Sequence, residues 1–171
     1  MCKEKQISYD LETMMQEYGN DVLRTAYMYV RDYHVAEDIF QDVFIKANQK
    51  LSTFRGESSI KTWLIRITVN TCKDYLKSAY NRKVVPILEF KEDAITSDDA
   101  YDEVEKQDQN LLIRQAVMDM PSKYKDLLLC VYFQEMTLNE AADTLHIALG
   151  TAKSRMSRAK DKLRLILEGR I

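Results

Sequence analysis

Glycine and proline are scarce here: four Gly and two Pro among 171 residues. Both interrupt helices, so their scarcity argues for long helical segments. Cysteine is thin as well. Cys2, Cys72 and Cys130 are odd in number and far apart, with no C-x-x-C pair and only two histidines in the chain. That pattern argues against a zinc site or a disulfide framework and for reduced, mostly structural thiols, with Cys2 the one candidate for reactivity. No nucleophile–base pair, metal-ligand cluster or Gly-rich phosphate loop can be assembled, so no catalytic residue, cofactor or metal is assigned and no enzyme is expected. No stretch of eighteen apolar residues occurs, so no transmembrane span is expected. The first residues, MCKEKQISYDLE, lack the apolar core of a signal peptide, which predicts a cytoplasmic protein.

What is present is a hydrophobic content of 46%, enough for one medium domain or two small ones. The net charge of −2 conceals strong segregation. Residues 51–87 carry seven basic and two acidic groups, residues 88–108 two and nine, and residues 150–171 seven and two. Two basic zones flank an acidic one, which suits a protein that meets nucleic acid at two separate places.

The last basic zone has a specific architecture. Thr137 and Glu140 have the spacing of a capping box, predicting a helix from Leu138. Ala141, Ala142 and Leu145 give it a small apolar face. A second helix is predicted from Leu149 past Leu163, with Ala152, Met156, Ala159 and Leu163 as its buried stripe. Its other faces carry Thr151, Lys153, Ser154, Arg155, Ser157, Arg158, Lys160 and Lys162. This is the plan of a DNA-reading helix-turn-helix: Arg and Lys pair with phosphates or guanine edges, Ser and Thr with either. A solvated basic face on an ordinary helix is the plainer alternative.

Upstream, Leu11 to Val30 supports one or two amphipathic helices through Leu11, Met14, Met15, Tyr18, Val22, Ala26, Tyr27 and Val30. Ala36, Ile39, Phe40, Val43, Phe44, Ala47 and Leu51 then step by three and four, predicting a helix with Glu37 and Asp38 in its first turn. Its polar side offers Asp38, Gln41, Asp42, Lys46 and Gln49, a solvated face by default. LSTFRGESS reads as a loop. A helix from about Ser59 to Ala79 follows, with Ile60, Trp63, Leu64, Ile67, Thr71, Tyr75 and Leu76 inside. Trp63 is expected as a core anchor, with base stacking as the alternative. Asp74 is expected in a local salt bridge to Lys73 or Lys77. Asn110–Met120 and Ser122–Phe133 are predicted helices divided by Pro121, with a core of Leu112, Ala116, Val117, Met120, Tyr124, Leu127, Leu128 and Val131.

In both halves these residues resemble the extracytoplasmic-function sigma factors of bacterial RNA polymerase. LGTAKSRMSRAKDKLR is similar to that family's final helix, G-T-V-K-S-R-L-x-R-A-R. AEDIFQDVFIKANQKLSTFRGESSIKTWLIRITVNTCKDYL is similar to its block A-E-D-x-x-Q-x-x-F, F-R-G-x-S and W-L-x-x-I-x-x-N-x-x-x-D. His146 stands where a turn glycine is usual, Ala152 replaces a larger β-branched residue, and Met120-Pro121 replaces Leu-Pro.

The resemblance implies an all-α fold of two small helical domains, a sigma region 2-like bundle and a sigma region 4-like helix-turn-helix, joined by a flexible acidic linker. On this reading residues 1–7 are a leader, 8–80 the first domain, 81–108 the linker and 109–171 the second domain. It implies docking on core RNA polymerase through Asp38, Gln41 and Asp42. It implies recognition and melting of the −10 element by Phe54, Arg55, Glu57, Lys61, Arg66, Asn70, Lys73 and Lys77. Thr151, Lys153, Ser154, Arg155, Ser157, Arg158 and Lys162 would read the −35 element. Promoter DNA is thus the second partner, and an anti-sigma factor, often membrane-anchored, the third, with no insertion of this chain into a membrane. The competing expectation is a stand-alone helix-turn-helix regulator that binds its site without polymerase.

Overall fold

The computed structural model describes residues 9–82 and 112–169, and the chain divides into two units between residues 88 and 89. The expected leader lies outside the described residues, as does the expected acidic linker from residue 83 onward.

The N-terminal unit consists of α1 (Leu11–Val30), α2 (Tyr33–Lys50) and α3 (Ile60–Asn81), each packed on the other two. All three begin the same way. The side chains of Asp10, Asp32 and Ser59 accept from the backbone N–H of Thr13, Val35 and Thr62 at 2.7, 3.0 and 3.0 Å, satisfying donors that a helix start leaves unpaired. The N–H of Thr13 holds the Asp10 carboxyl below its ordinary pKa. Because Asp32 is the cap, α2 starts at Tyr33, so Glu37 and Asp38 fall beyond the first turn where the sequence had placed them. One unbroken α1 occupies Leu11–Val30. Its Gly19 faces α2, with the Phe40 ring 3.4 Å from where a Cβ would stand.

Met14, Val22, Ala26, Ile39, Val43, Ala47, Leu64, Ile65, Val69 and Cys72 form the core. Each large aliphatic side chain among them contributes roughly 1.5–3 kcal/mol by burial. Two expectations change. Met15 is 39% exposed. The buried side of α3 is turned from the expected one: Ile65, Thr68, Val69, Cys72 and Ala79 lie inside, whereas Trp63, Ile67, Tyr75 and Leu76 are only half-buried. Threonine makes this possible. The hydroxyls of the buried Thr25 and Thr68 donate to the carbonyls of Asp21 and Leu64, four residues back, at 2.6 and 2.8 Å. Self-paired in this way, they enter the core without an unmet polar group.

The C-terminal unit is helical at residues 112–118 (α4). Pro121 then caps the start of α5 (Ser122–Leu128), and α6 (Leu138–Thr144) and α7 (Leu149–Leu167) follow. The helix expected over Ser122–Phe133 changes character at Leu129–Phe133, where it widens to a π-turn; the Gln134 N–H donates to the Leu129 carbonyl, five residues back. Widening shifts the phase of the apolar stripe, so four successive residues, Leu127, Leu128, Leu129 and Cys130, are buried while Val131 is half-buried. Leu112, expected in this core, is 62% exposed. Both α5 and α6 pack on α7. Among the described residues no helix is long and apolar enough to cross a membrane.

Candidate nucleic-acid interface

The helix-turn-helix is built from its caps. At the start of α6 the Thr137 hydroxyl accepts from the Glu140 N–H at 3.2 Å, and the Thr137 N–H donates to Glu140 Oε2 at 2.9 Å, completing the capping box. The far end is a Schellman turn: the Ile147 N–H donates to the Ala142 carbonyl at 3.0 Å and the His146 N–H to the Asp143 carbonyl at 3.2 Å. Its left-handed residue is His146, at φ 55°, so a side chain with a Cβ holds the shape that glycine adopts freely. Ala141, Ala142 and Thr144 of α6 and Ala152, Met156 and Ala159 of α7 are buried in this unit. Thr144 pairs with the Glu140 carbonyl at 2.7 Å.

On α7 the expected readers separate into rows. Thr151, Arg155, Arg158 and Lys162 step by four, three and four and share one side. Lys153, Ser157, Lys160 and Arg164 repeat that spacing on the other side, well over a right angle away. Ser154 lies between the rows, opposite the buried Ala152–Met156–Ala159 stripe. Lys153, Ser154, Ser157, Arg158 and Lys162 are exposed, and Thr151 and Arg155 half-buried. Lys160 lies 5.9 Å from the Tyr132 ring centroid, which ties the second row back to the π-turn. Arg164 faces Asp161 at 3.7 Å.

In the N-terminal unit, Asp38, Gln41 and Asp42 are exposed together on one side of α2. Ile45, 55% exposed, continues that side one turn on. The sequence reading passed over it, although its spacing of three and four from Asp42 and Gln41 was visible. Beside this face runs a groove of about 240 Å³, lined by Asp38, Asp42, Lys46, Asp74, Ser78 and Arg82 among others. Two expectations are corrected here. Lys46 is not simply solvated, because its Nζ donates to Thr71 Oγ1 of α3 at 3.0 Å. Asp74 forms no ion pair with Lys73 or Lys77; its position on α3 turns it toward the groove instead.

The loop before α3 places Phe54 half-buried between Tyr9 and Trp63, with ring centroids 6.2 and 5.2 Å away. Arg55 and Glu57 are exposed around Gly56, whose φ of 72° suits glycine. Trp63 is half-buried rather than a core anchor. Arg66, Asn70, Lys73 and Lys77 follow it at spacings of three, four, three and four, so the five share one side of α3. Lys61 stands apart from them. It is half a turn out of phase with Asn70 and pairs with Asp21 of α1 at 3.3 Å.

Comparisons with known proteins agree with this arrangement. The pattern of sigma-70 region 2 matches residues 14–82, and that of sigma-70, region 4, matches residues 110–163. The RNA polymerase sigma factor SigZ of Bacillus subtilis is 31% identical over 141 residues, 82% of this chain and 77% of that protein. The RNA polymerase sigma-H factor of Pseudomonas aeruginosa is 28% identical, covering 91% of this chain and 84% of its own. The ECF RNA polymerase sigma factor SigW of Bacillus subtilis is 27% identical, covering 86% and 83%. Among solved structures, the sigma factor RpoE in complex with the anti-sigma factor NepR from Bartonella quintana shares the fold, with a TM-score of 0.70 at 21% identity over 93% of this chain and 97% of that one. With a region 2 bundle and a region 4 helix-turn-helix in one chain, the protein belongs to the extracytoplasmic-function sigma factors of bacterial RNA polymerase and acts in transcription initiation.

Proposed function

We propose that the N-terminal unit docks on core RNA polymerase through Asp38, Gln41 and Asp42, with Ile45 as the apolar centre of the contact. In the same unit Asn70 and the loop Phe54–Glu57 hold an extruded base of the −10 element. Arg66, Lys73 and Lys77 track the phosphates, while Lys61, on another side of α3 and facing Asp21 of α1, serves chiefly to join α3 to α1. The C-terminal unit reads the −35 element through α7. Its two rows suit the opposite walls of a major groove about 12 Å wide, and Ser154 between them faces the base edges.

The observation that carries this reading is the presence, in one chain, of an exposed acidic face on α2 and two polar rows on the second helix of a helix-turn-helix. A stand-alone regulator has no need of the first. A solved relative is a sigma factor held by an anti-sigma factor, which supports the reading that this chain too is restrained by an anti-sigma partner covering these surfaces.

Transcription in vitro with purified core polymerase tests the assignment. The chain should direct initiation from selected promoters and bind them tightly only with polymerase. Tight binding by the chain alone would favour the regulator. Asp42→Arg should remove co-purification with core polymerase at unchanged helical content; retained association would reject the docking face.

A further inference from the structure

Tyr132 stands on the π-turn of the C-terminal unit and is 55% exposed, while Val131 and Phe133 on either side of it are half-buried. Its ring meets Lys160 of α7, whose ammonium lies 5.9 Å from the ring centroid. At an exposed site such a contact is weak, but it holds two mobile groups side by side. Among the described residues the Tyr132 hydroxyl has no hydrogen-bond partner and the Lys160 ammonium no carboxylate. Arg164, one turn on in the same row, differs in facing Asp161 at 3.7 Å. Widened turns recur at functional sites, and this one sets a hydroxyl donor beside the basic row from an element outside α6 and α7.

Position and charge select the occupant. Lys160 is six residues from Ser154, which leaves it about 120° round the helix from the line facing the base edges. It is the member of its row turned furthest from the groove floor, so it meets the sugar-phosphate wall rather than a base. Lysine ammonium and tyrosine hydroxyl groups both donate to phosphate oxygens, fixing register without reading sequence. Phosphates of one strand follow one another at about 3.4 Å along the axis, so two adjoining donors serve one phosphate or a successive pair. Lys153 and Ser157 continue the same wall on α7, which favours DNA over an acidic protein surface.

We propose that Tyr132 and Lys160 form a phosphate clamp on the duplex at the edge of the −35 element. The Tyr132 hydroxyl donates to a phosphate oxygen while its ring holds the Lys160 ammonium against the same backbone. This rests on the reading of α7 as the helix that enters the −35 groove.

The test uses the full chain assembled with core polymerase and a duplex carrying a −35 element it selects in vitro, with affinity followed over a range of salt. Tyr132→Phe keeps the ring and removes only the hydroxyl. It should weaken binding roughly two- to tenfold on every selected promoter, with the salt exponent unchanged. Lys160→Ala should weaken binding and lower that exponent by about 0.9, the mark of one phosphate no longer neutralised. Phosphates flanking the element are then replaced singly by uncharged methylphosphonates. At one position or two adjoining ones the parent should lose affinity and the variant carrying both changes should not. Parent-like binding by Tyr132→Phe overturns the proposal. So does a loss by Lys160→Ala that depends on promoter sequence, or the lack of any phosphate at which parent and double variant differ. If Arg158→Ala loses −35 binding and neither clamp variant does, α7 reads the element and the clamp falls. If none of the three loses it, both fall.

Discussion

In the N-terminal unit three helices of 20, 18 and 22 residues cross one another around a core of large side chains. In the C-terminal unit two seven-residue helices lean on one of 19, and alanine dominates what α6 and α7 bury. A long helix fixes its outward rows by phase, and a frayed end changes little several turns away. A seven-residue helix is nearly all ends, since the first four N–H and last four C=O groups lack partners within it. Position in the first unit therefore depends on core volume, and in the second on caps and turns.

The largest effect should come from emptying the first core. Leu64→Ala, at a fully buried site, should cost about 2–5 kcal/mol in urea unfolding followed by circular dichroism; a cost below 1 kcal/mol would deny that large side chains hold this unit. Next, Arg158→Ala should weaken −35 binding by holoenzyme by about 1–3 kcal/mol and relax preference at one position. A uniform loss across a promoter library would assign Arg158 to phosphate. Thr137→Ala breaks the capping box and should cost about 1 kcal/mol, with −35 affinity falling as α6 loosens. An unchanged melting curve would break the contrast between core-set and cap-set units. His146→Gly relieves a left-handed backbone and should stabilise by up to about 1 kcal/mol.

Smallest near neutral pH is the contribution of Cys72. Burial pushes its thiol from 9.0 up to about 12. The unfolded chain loses that proton first, so stability is intact below pH 9 and falls as pH rises from there toward 12. Peptide-mapped thiol labelling should accordingly find Cys72 unreactive in the folded protein at pH 8. Rapid modification would show that the core opens locally.

Sequence pattern captured most of α2, α6 and α7 because their buried positions are apolar and their exposed ones charged. The phase of α3 was captured only in part: Ile60, Leu64 and Thr71 are buried as expected. Thr68 and Cys72 also line the core and Trp63 and Ile67 do not, a rotation of the face that hydrophobic spacing alone cannot signal when a hydroxyl is satisfied by its own helix. The same misreading hid the outward row, since it assigned Trp63 to the interior. The π-turn left no composition mark, and its presence explains why Val131, expected inside, is only half-buried. The acidic face on α2 showed in the sequence as an ordinary polar side; only family resemblance distinguished it.

The widened turn at Leu129–Phe133 makes the C-terminal unit tolerant of one change in chain length that substitutions do not probe. A turn closed by an i→i+5 bond holds one residue more than an α-turn, and α6 and α7 come after it. Deleting a single residue there would let the segment relax into regular helix with all its backbone bonds made. Because the surplus residue is the one removed, the rest of the unit would then leave α5 in nearly its present direction, whereas deleting a residue from a regular turn of α5 would swing it by about 100°.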